Sequence, residues 1–139
     1  MKIIIVSGGF DPIHSGHIAY FKSAKTYGDK LIVALNSDAW LEKKKGKFFM
    51  PFNERKTIVE SIKSVDEVIS FKDDRKGSCI NALEEIKKSY PNDDIYFANG
   101  GDRSNSEIPE FKICKENGTQ VVDGLGNKIR SSSELTGIK

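Results

Sequence analysis

Ser7-Gly8-Gly9-Phe10-Asp11-Pro12-Ile13-His14-Ser15-Gly16-His17-Ile18 stands between two apolar stretches of different kind. Before it, Lys2-Ile3-Ile4-Ile5-Val6 is a continuous apolar run, the pattern of a strand buried on both faces. After it, Ile18, Phe21 and Ala24 recur at helical spacing. They predict the inner stripe of a helix from Ser15 to Tyr27, closed by Gly28 as a C-cap. The segment is therefore a glycine-bearing turn from strand to helix. Glycines let the main chain approach a ligand closely, and the free N–H groups and positive dipole end of a helix start attract anions. Such a turn predicts phosphate binding.

The chain's two histidines, His14 and His17, both fall in this turn. Residues three apart share a helix face, so both imidazoles can point at one object. Two imidazoles beside an anion-binding helix end suit the stabilisation of charge on a transferring phosphoryl group. The plain alternative is a pair of surface histidines in a loop; Gly8 and Gly9 just ahead of them weigh against it. Leu31-Ile32-Val33-Ala34-Leu35 is a second continuous apolar run. Strand, helix and strand of this kind predict a parallel βαβ unit with a right-handed crossover. Asn36-Ser37-Asp38 then ends the second strand at the same sheet edge as the glycine turn, where ligands of open α/β sheets bind. These three residues read equally well as the cap of a short helix.

A chain of 139 residues suits one domain with a sizeable core, and 37% hydrophobic with 30% charged residues fits a soluble globular protein. A net charge of +2 argues against a dedicated nucleic-acid binder, which carries a stronger basic excess. Cys79 and Cys114 lack metal-ligand spacing and read as reduced residues of a cytoplasmic protein. The apolar stretch at the N-terminus is too short for a signal peptide, and no run approaches transmembrane length.

Gly9-Phe10-Asp11-Pro12-Ile13-His14-Ser15-Gly16-His17 resembles the HxGH signature of the cytidylyltransferase-like nucleotidyltransferases. Later landmarks follow that family's order over nearly the whole chain, and the likeness is greatest to the short glycerol-3-phosphate cytidylyltransferase group. The resemblance implies an α/β fold: a Rossmann-like three-layer α/β/α architecture with a five-stranded parallel sheet, a single domain over residues 1–139. It implies nucleotidyl transfer from a nucleoside triphosphate, CTP ahead of ATP, to a small phosphorylated acceptor such as glycerol 3-phosphate or a sugar or amino-alcohol phosphate. Pyrophosphate would leave. Mg²⁺ would ride on the substrate phosphates with few protein ligands, and the small members of the family usually pair as homodimers. Neither nucleic acid nor membrane is an expected partner. Two alternatives stand beside this: adenylyl transfer from ATP to a sugar phosphate, as in the heptose-phosphate members, and a nucleotide-binding regulatory module without catalysis.

Carried onto this chain, the resemblance makes His14, His17, Lys44 and Arg55 the catalytic candidates, with Gly8, Gly9, Phe10 and Asp11 cradling the nucleotide. Glu42-Lys43-Lys44-Lys45-Gly46-Lys47 resembles the family's lysine-bearing loop and predicts a mobile lid in which Lys44 and Lys47 reach phosphates; a solvated charge run is the alternative. Phe52 or Asn53 is the expected cap of the next helix, whose inward residues are Ile58, Val59 and Ile62. Arg55 matches an arginine near the phosphates, or is simply exposed on that helix. Val65-Asp66-Glu67-Val68 leads into a third strand, Ile80, Leu83 and Ile86 mark an amphipathic helix, and Ile95 to Ala98 is a fourth strand.

Asn99-Gly100-Gly101-Asp102-Arg103 follows, similar to the family's Gly-Asp loop, which assigns Gly101 and Asp102 to the nucleotide; the cytidylyltransferases carry an acidic residue where Arg103 stands, and Arg103, with Asp38, is expected to contact the acceptor instead, a plain turn being the alternative. A helix over 107–117 and a fifth strand over 119–123 are expected next. Ser131-Ser132-Ser133 resembles the family's second signature, which holds the β- and γ-phosphates, though serines also cap helices without any ligand. The cytidylyltransferases place an arginine five residues before this run; here Gly126 stands there, and Lys128 or Arg130 would have to take its place.

Overall fold

A computed structural model describes residues 1–73, 80–100 and 120–125, with the backbone alone at 99–100 and 120–125. The elements run β1 (Lys2–Gly8), α1 (Ser15–Lys25), β2 (Lys30–Leu35), α2 (Asp38–Lys45), α3 (Phe52–Glu60), β3 (Glu67–Ile69), α4 (Ile80–Ser89), β4 (Asp94–Gly100) and β5 (Gln120–Leu125). All five strands are parallel and lie in the order β3-β2-β1-β4-β5. The chain winds outward from β1 to β3, then returns to β4 on the other side of β1. The point of reversal lies between β1 and β4, and the crevice outside their carboxyl ends is where such sheets bind ligands.

Both continuous apolar runs are buried on two faces, as their lack of alternation requires. Ile4, Val6, Leu31 and Val33 pack with Phe21 and Ala24 of α1 and Val59 of α3. Ile3, Ile5, Ile32 and Ala34 pack on the opposite face with Ala82, Leu83 and Ile86 of α4. Helices thus cover both faces of the sheet, giving the expected three layers.

Several local expectations need correction. The helix after the glycine turn ends at Lys25, and Thr26 caps it in a right-handed conformation. Gly28 serves another purpose: a Cβ there would lie 2.9 Å from Lys2 O and 2.8 Å from Ile4 Cγ1. Close approach to β1, not a helix cap, demands glycine. Ile18 is 38% exposed, so Phe21 and Ala24 alone carry the buried stripe of α1. The lysine run is not a loop. Its first three lysines form the last turn of α2, where cations meet the negative end of the helix dipole, and Gly46 closes the helix in the left-handed conformation at φ 85°. Pro51 flanks α3, which begins at Phe52 without a side-chain cap. β4 extends through Asn99 and Gly100, with a register shift against β5 there. The expected helix over 107–117 lies outside the described residues.

Candidate active site

The site grows from the end of β1. Gly8 and Gly9 are dictated by packing: a Cβ on Gly8 would meet Phe10 Cζ at 2.8 Å, and one on Gly9 would meet Leu41 Cδ2 at 2.5 Å and Trp40 Cζ3 at 3.4 Å. Phe10 itself takes a left-handed φ of 50°, which turns the chain sharply and tucks its ring into the core. That ring stands edge-on to both His17 and Phe21, with centroids 4.9 and 5.0 Å away. It thus forms an apolar floor beneath one of the two histidines.

His14 is the N-cap of α1, in extended conformation, rather than a residue of its first turn. The i, i+3 spacing is that of a capping box. His14 Nδ1 accepts the N–H of Gly16 at 3.1 Å, and His17 Nδ1 accepts the N–H of His14 at 3.2 Å. The rings stack with centroids 3.8 Å apart. Because each Nδ1 accepts a main-chain hydrogen, the proton of each neutral imidazole sits on Nε2. The amides at the helix start are largely engaged in the cap: the N–H groups of His17 and Ile18 donate to His14 O. Burial, the His14 ring and the Lys45 ammonium together push the pKa of His17 down from 6.5 to about 3. It is neutral at physiological pH and offers a hydrogen bond without a charge of its own.

Besides the buried Arg55, the structure brings Lys45 to this turn. Its Nζ donates to Asp11 O at 2.9 Å. Lys44, the sequence-level choice, lies instead over the Trp40 ring at 4.6 Å, one helical turn away, and Lys47 lies over Phe49 at 5.1 Å. The signal that could have distinguished them is Gly46. As the cap it fixes the helix end, and the preceding lysine belongs to the face that carries Leu41 inward.

Asp11 and Arg55 are further from a ligand-contacting role than the sequence suggested. Asp11 is buried, and its two oxygens accept the N–H groups of Phe49 and Met50, each at 2.6 Å. Arg55 is fully buried. Its Nε donates to Met50 O, its Nη1 to Gly9 O and Asn36 O, and its Nη2 to Asp38 Oδ1, at 2.7 to 2.9 Å. Asp38, at the start of α2, remains about one-third exposed, so it borders the crevice while anchored from beneath. Ser37 caps α2 by accepting from Trp40 N and donates its own hydroxyl to Asp73 at 2.6 Å. Tyr20 OH donates to Ala98 O, tying α1 to β4 on the far side of the reversal point. Gly101, Asp102, Arg103, Lys128, Arg130, Ser131, Ser132 and Ser133 lie outside the described residues. Among the described residues, no group of three or more His, Cys, Asp and Glu side chains can hold a metal ion, and no helix is long and apolar enough to cross a membrane.

Residues 5–132 match the family model described as cytidylyltransferase-like. The chain is 33% identical over 132 residues to the bifunctional protein HldE of Hahella chejuensis, covering 94% of this chain and 24% of that protein. It is 32% identical over 146 residues to HldE of Salmonella arizonae, covering 96% and 28%. The chain thus spans about a quarter of the length of these relatives. Among solved structures, a lipopolysaccharide core biosynthesis protein from Thermoplasma volcanium superposes with a TM-score of 0.68 at 24% identity, covering 91% of this chain and 98% of that one. A bifunctional NMN adenylyltransferase/ADP ribose pyrophosphatase from Francisella tularensis, complexed with AMP and a manganese ion, superposes at 0.71 with 19% identity, covering 98% and 40%. These two likenesses establish the fold.

Proposed function

The chain belongs to the cytidylyltransferase-like family, and from that premise we propose that it transfers a nucleotidyl group. A phosphomonoester oxygen of the acceptor attacks the α-phosphorus of a nucleoside triphosphate, the bond to the bridging oxygen breaks, and pyrophosphate leaves. A phosphate monoester is largely dianionic near neutral pH, so the attack needs no strong base. Catalysis then rests on positioning and charge stabilisation. The observation that carries this reading is the His14–His17 pair, stacked at 3.8 Å and held as Nε2–H tautomers at the end of β1. Hydrogen bonds from this pair, with His17 a neutral donor, gain strength as negative charge builds on the α-phosphate oxygens, in a setting where Lys45 adds a full positive charge.

The carboxylates of the described site are committed to the protein, Asp11 to two amides and Asp38 to Arg55. Mg²⁺ fits this chain as a companion of the triphosphate, where it would offset charge on the phosphate oxygens. Ser131 to Ser133 are assigned to the leaving pyrophosphate, Lys128 or Arg130 would stand in for the arginine that the cytidylyltransferases carry before this run, and Gly101 and Asp102 are assigned to the nucleoside.

For the nucleotide, the identity with the HldE proteins supports ATP, with a phosphorylated sugar of the heptose-phosphate type as acceptor. Gly126, standing where the cytidylyltransferases carry arginine, points the same way. The second reading is CTP with glycerol 3-phosphate, supported by the order of the landmarks along the chain. Pyrophosphate release decides between them when ATP, CTP, GTP and UTP are each offered with Mg²⁺ against phosphorylated sugars and glycerol 3-phosphate separately. Release with ATP that depends on a phosphorylated sugar supports the first; release with CTP and glycerol 3-phosphate overturns it in favour of the second. A nucleotide that raises thermal stability without pyrophosphate release under any pairing would identify a binding module instead.

A further inference from the structure

We propose that Asp11 and Arg55 are positioning residues: together they clamp the segment between α2 and α3 onto the glycine turn and so hold Lys45 beside the histidine pair. The proposal deepens the nucleotidyl-transfer reading and rests on it for its catalytic consequence. Met50 shows the arrangement. Its N–H is taken by the Asp11 carboxylate and its C=O by the Arg55 guanidinium. The same guanidinium grips Gly9 O in the turn and Asn36 O at the end of β2, while the same aspartate supplies the carbonyl to which Lys45 donates. Two buried charges of opposite sign therefore bind one short segment from two sides, through separate main-chain contacts.

Contacts with an ionised partner are about twice as strong as neutral ones, and burial strengthens them further. A βαβ unit folds without such charges, and a buried ion is by itself weak evidence for stability. Their placement is explained by what they fix. Lys45 is the last residue of α2, with the helix stopped immediately after it by Gly46. A cation on a long flexible stem at a helix end ordinarily samples many positions. Here the connector beyond it is bound at Phe49 and Met50, and its ammonium is tied to Asp11 O. The lysine-bearing segment is a fixed wall of the site, in place of the lid that the lysine run suggested.

The test compares Asp11→Asn, Arg55→Lys and Lys45→Met, alone and with Lys45→Met as partner in the double variants. Two readouts are taken on protein that retains a cooperative thermal transition. The first, made without nucleotide, is the fraction of His17 protonated as the pH is lowered through the acid range, followed by NMR of the imidazole carbon. The charged groups acting on His17 are His14 at the cap and Lys45 at the end of α2. Lys45→Met removes a neighbouring cation and raises that fraction. Arg55→Lys keeps its charge but not its four contacts, and is expected to raise it likewise. The charges acting on His17 do not include Asp11, so a rise in Asp11→Asn reports displacement of Lys45.

The second readout is kcat, expected to fall about a hundredfold in each single variant, as for misplaced catalytic groups, with no further fall when Lys45→Met is added. Unmoved His17 protonation in Arg55→Lys, or losses that multiply with Lys45→Met, would overturn the clamp. If Arg55→Lys does not fold, Asp11→Asn, of matching shape, carries the comparison. Wild-type protein without transferase activity would sink the proposed reaction while leaving the NMR comparison intact.

Discussion

His17 accepts the main-chain N–H of His14 at 3.2 Å while the two rings stack 3.8 Å apart. One side chain is thus both part of the helix cap and a candidate donor to the α-phosphate, through different nitrogens. The two roles separate by substitution. Asparagine at position 17 keeps an acceptor where Nδ1 lies but lacks the Nε2–H. His17→Asn is expected to retain the thermal transition of the parent and lose at least about a hundredfold in kcat, as for removal of a single oxyanion donor. Full activity in that variant would remove His17 from the mechanism.

Acid should loosen the fold through the same residue. His17 is neutral in the folded chain down to a pKa of about 3, whereas in the unfolded chain it takes up a proton near 6.5. Between those values the unfolded state binds more protons, so stability falls as pH drops from 6.5 towards 3, and this contribution is level above 6.5. Urea unfolding of the parent and of His17→Asn across that window measures the difference. The parent should show the steeper loss.

Arg55→Ala leaves Asp38 without its buried partner and frees the carbonyls of Gly9, Asn36 and Met50. A loss of at least about 1–3 kcal/mol is expected in equilibrium unfolding, the cost of leaving a buried acceptor unpaired, while Asp38 itself stays about one-third exposed to water.

Two glycines should respond to alanine for different reasons. In Gly28→Ala the new methyl group presses on Lys2 O and Ile4, and main chain cannot easily give way. Overpacking of this kind costs about 1–3 kcal/mol. In Gly46→Ala nothing lies within 4 Å of the new carbon, and only the left-handed φ of 85° is strained, at about 1 kcal/mol. Denaturant midpoints of the two variants give the order directly.

The sheet was legible in the sequence because strands buried on both faces advertise themselves as unbroken apolar runs, as at Ile3 to Val6 and Leu31 to Leu35. The glycine turn was legible because its chemistry is local. What escaped depends on distant partners. Asp11 meets Phe49 and Met50 nearly forty residues away, and Arg55 reaches back to Gly9; neither leaves a periodic trace. Gly28 read as a cap because its true neighbour, Lys2 O, belongs to another strand. The helix through Lys43 to Lys45 was hidden by its charge, which suggested a solvated loop although lysine is a good helix former.

The chain contains a single tryptophan, Trp40. Its indole lies against Gly9 and beneath the Lys44 ammonium. Tryptophan fluorescence, excited apart from the four tyrosines, therefore originates at the rim of the glycine turn, beside a charge known to perturb indole emission. The molecule carries its own optical gauge: ligand arrival can be timed in unlabelled protein, and any change in colour or brightness is assigned to one place in the fold before a single variant is made.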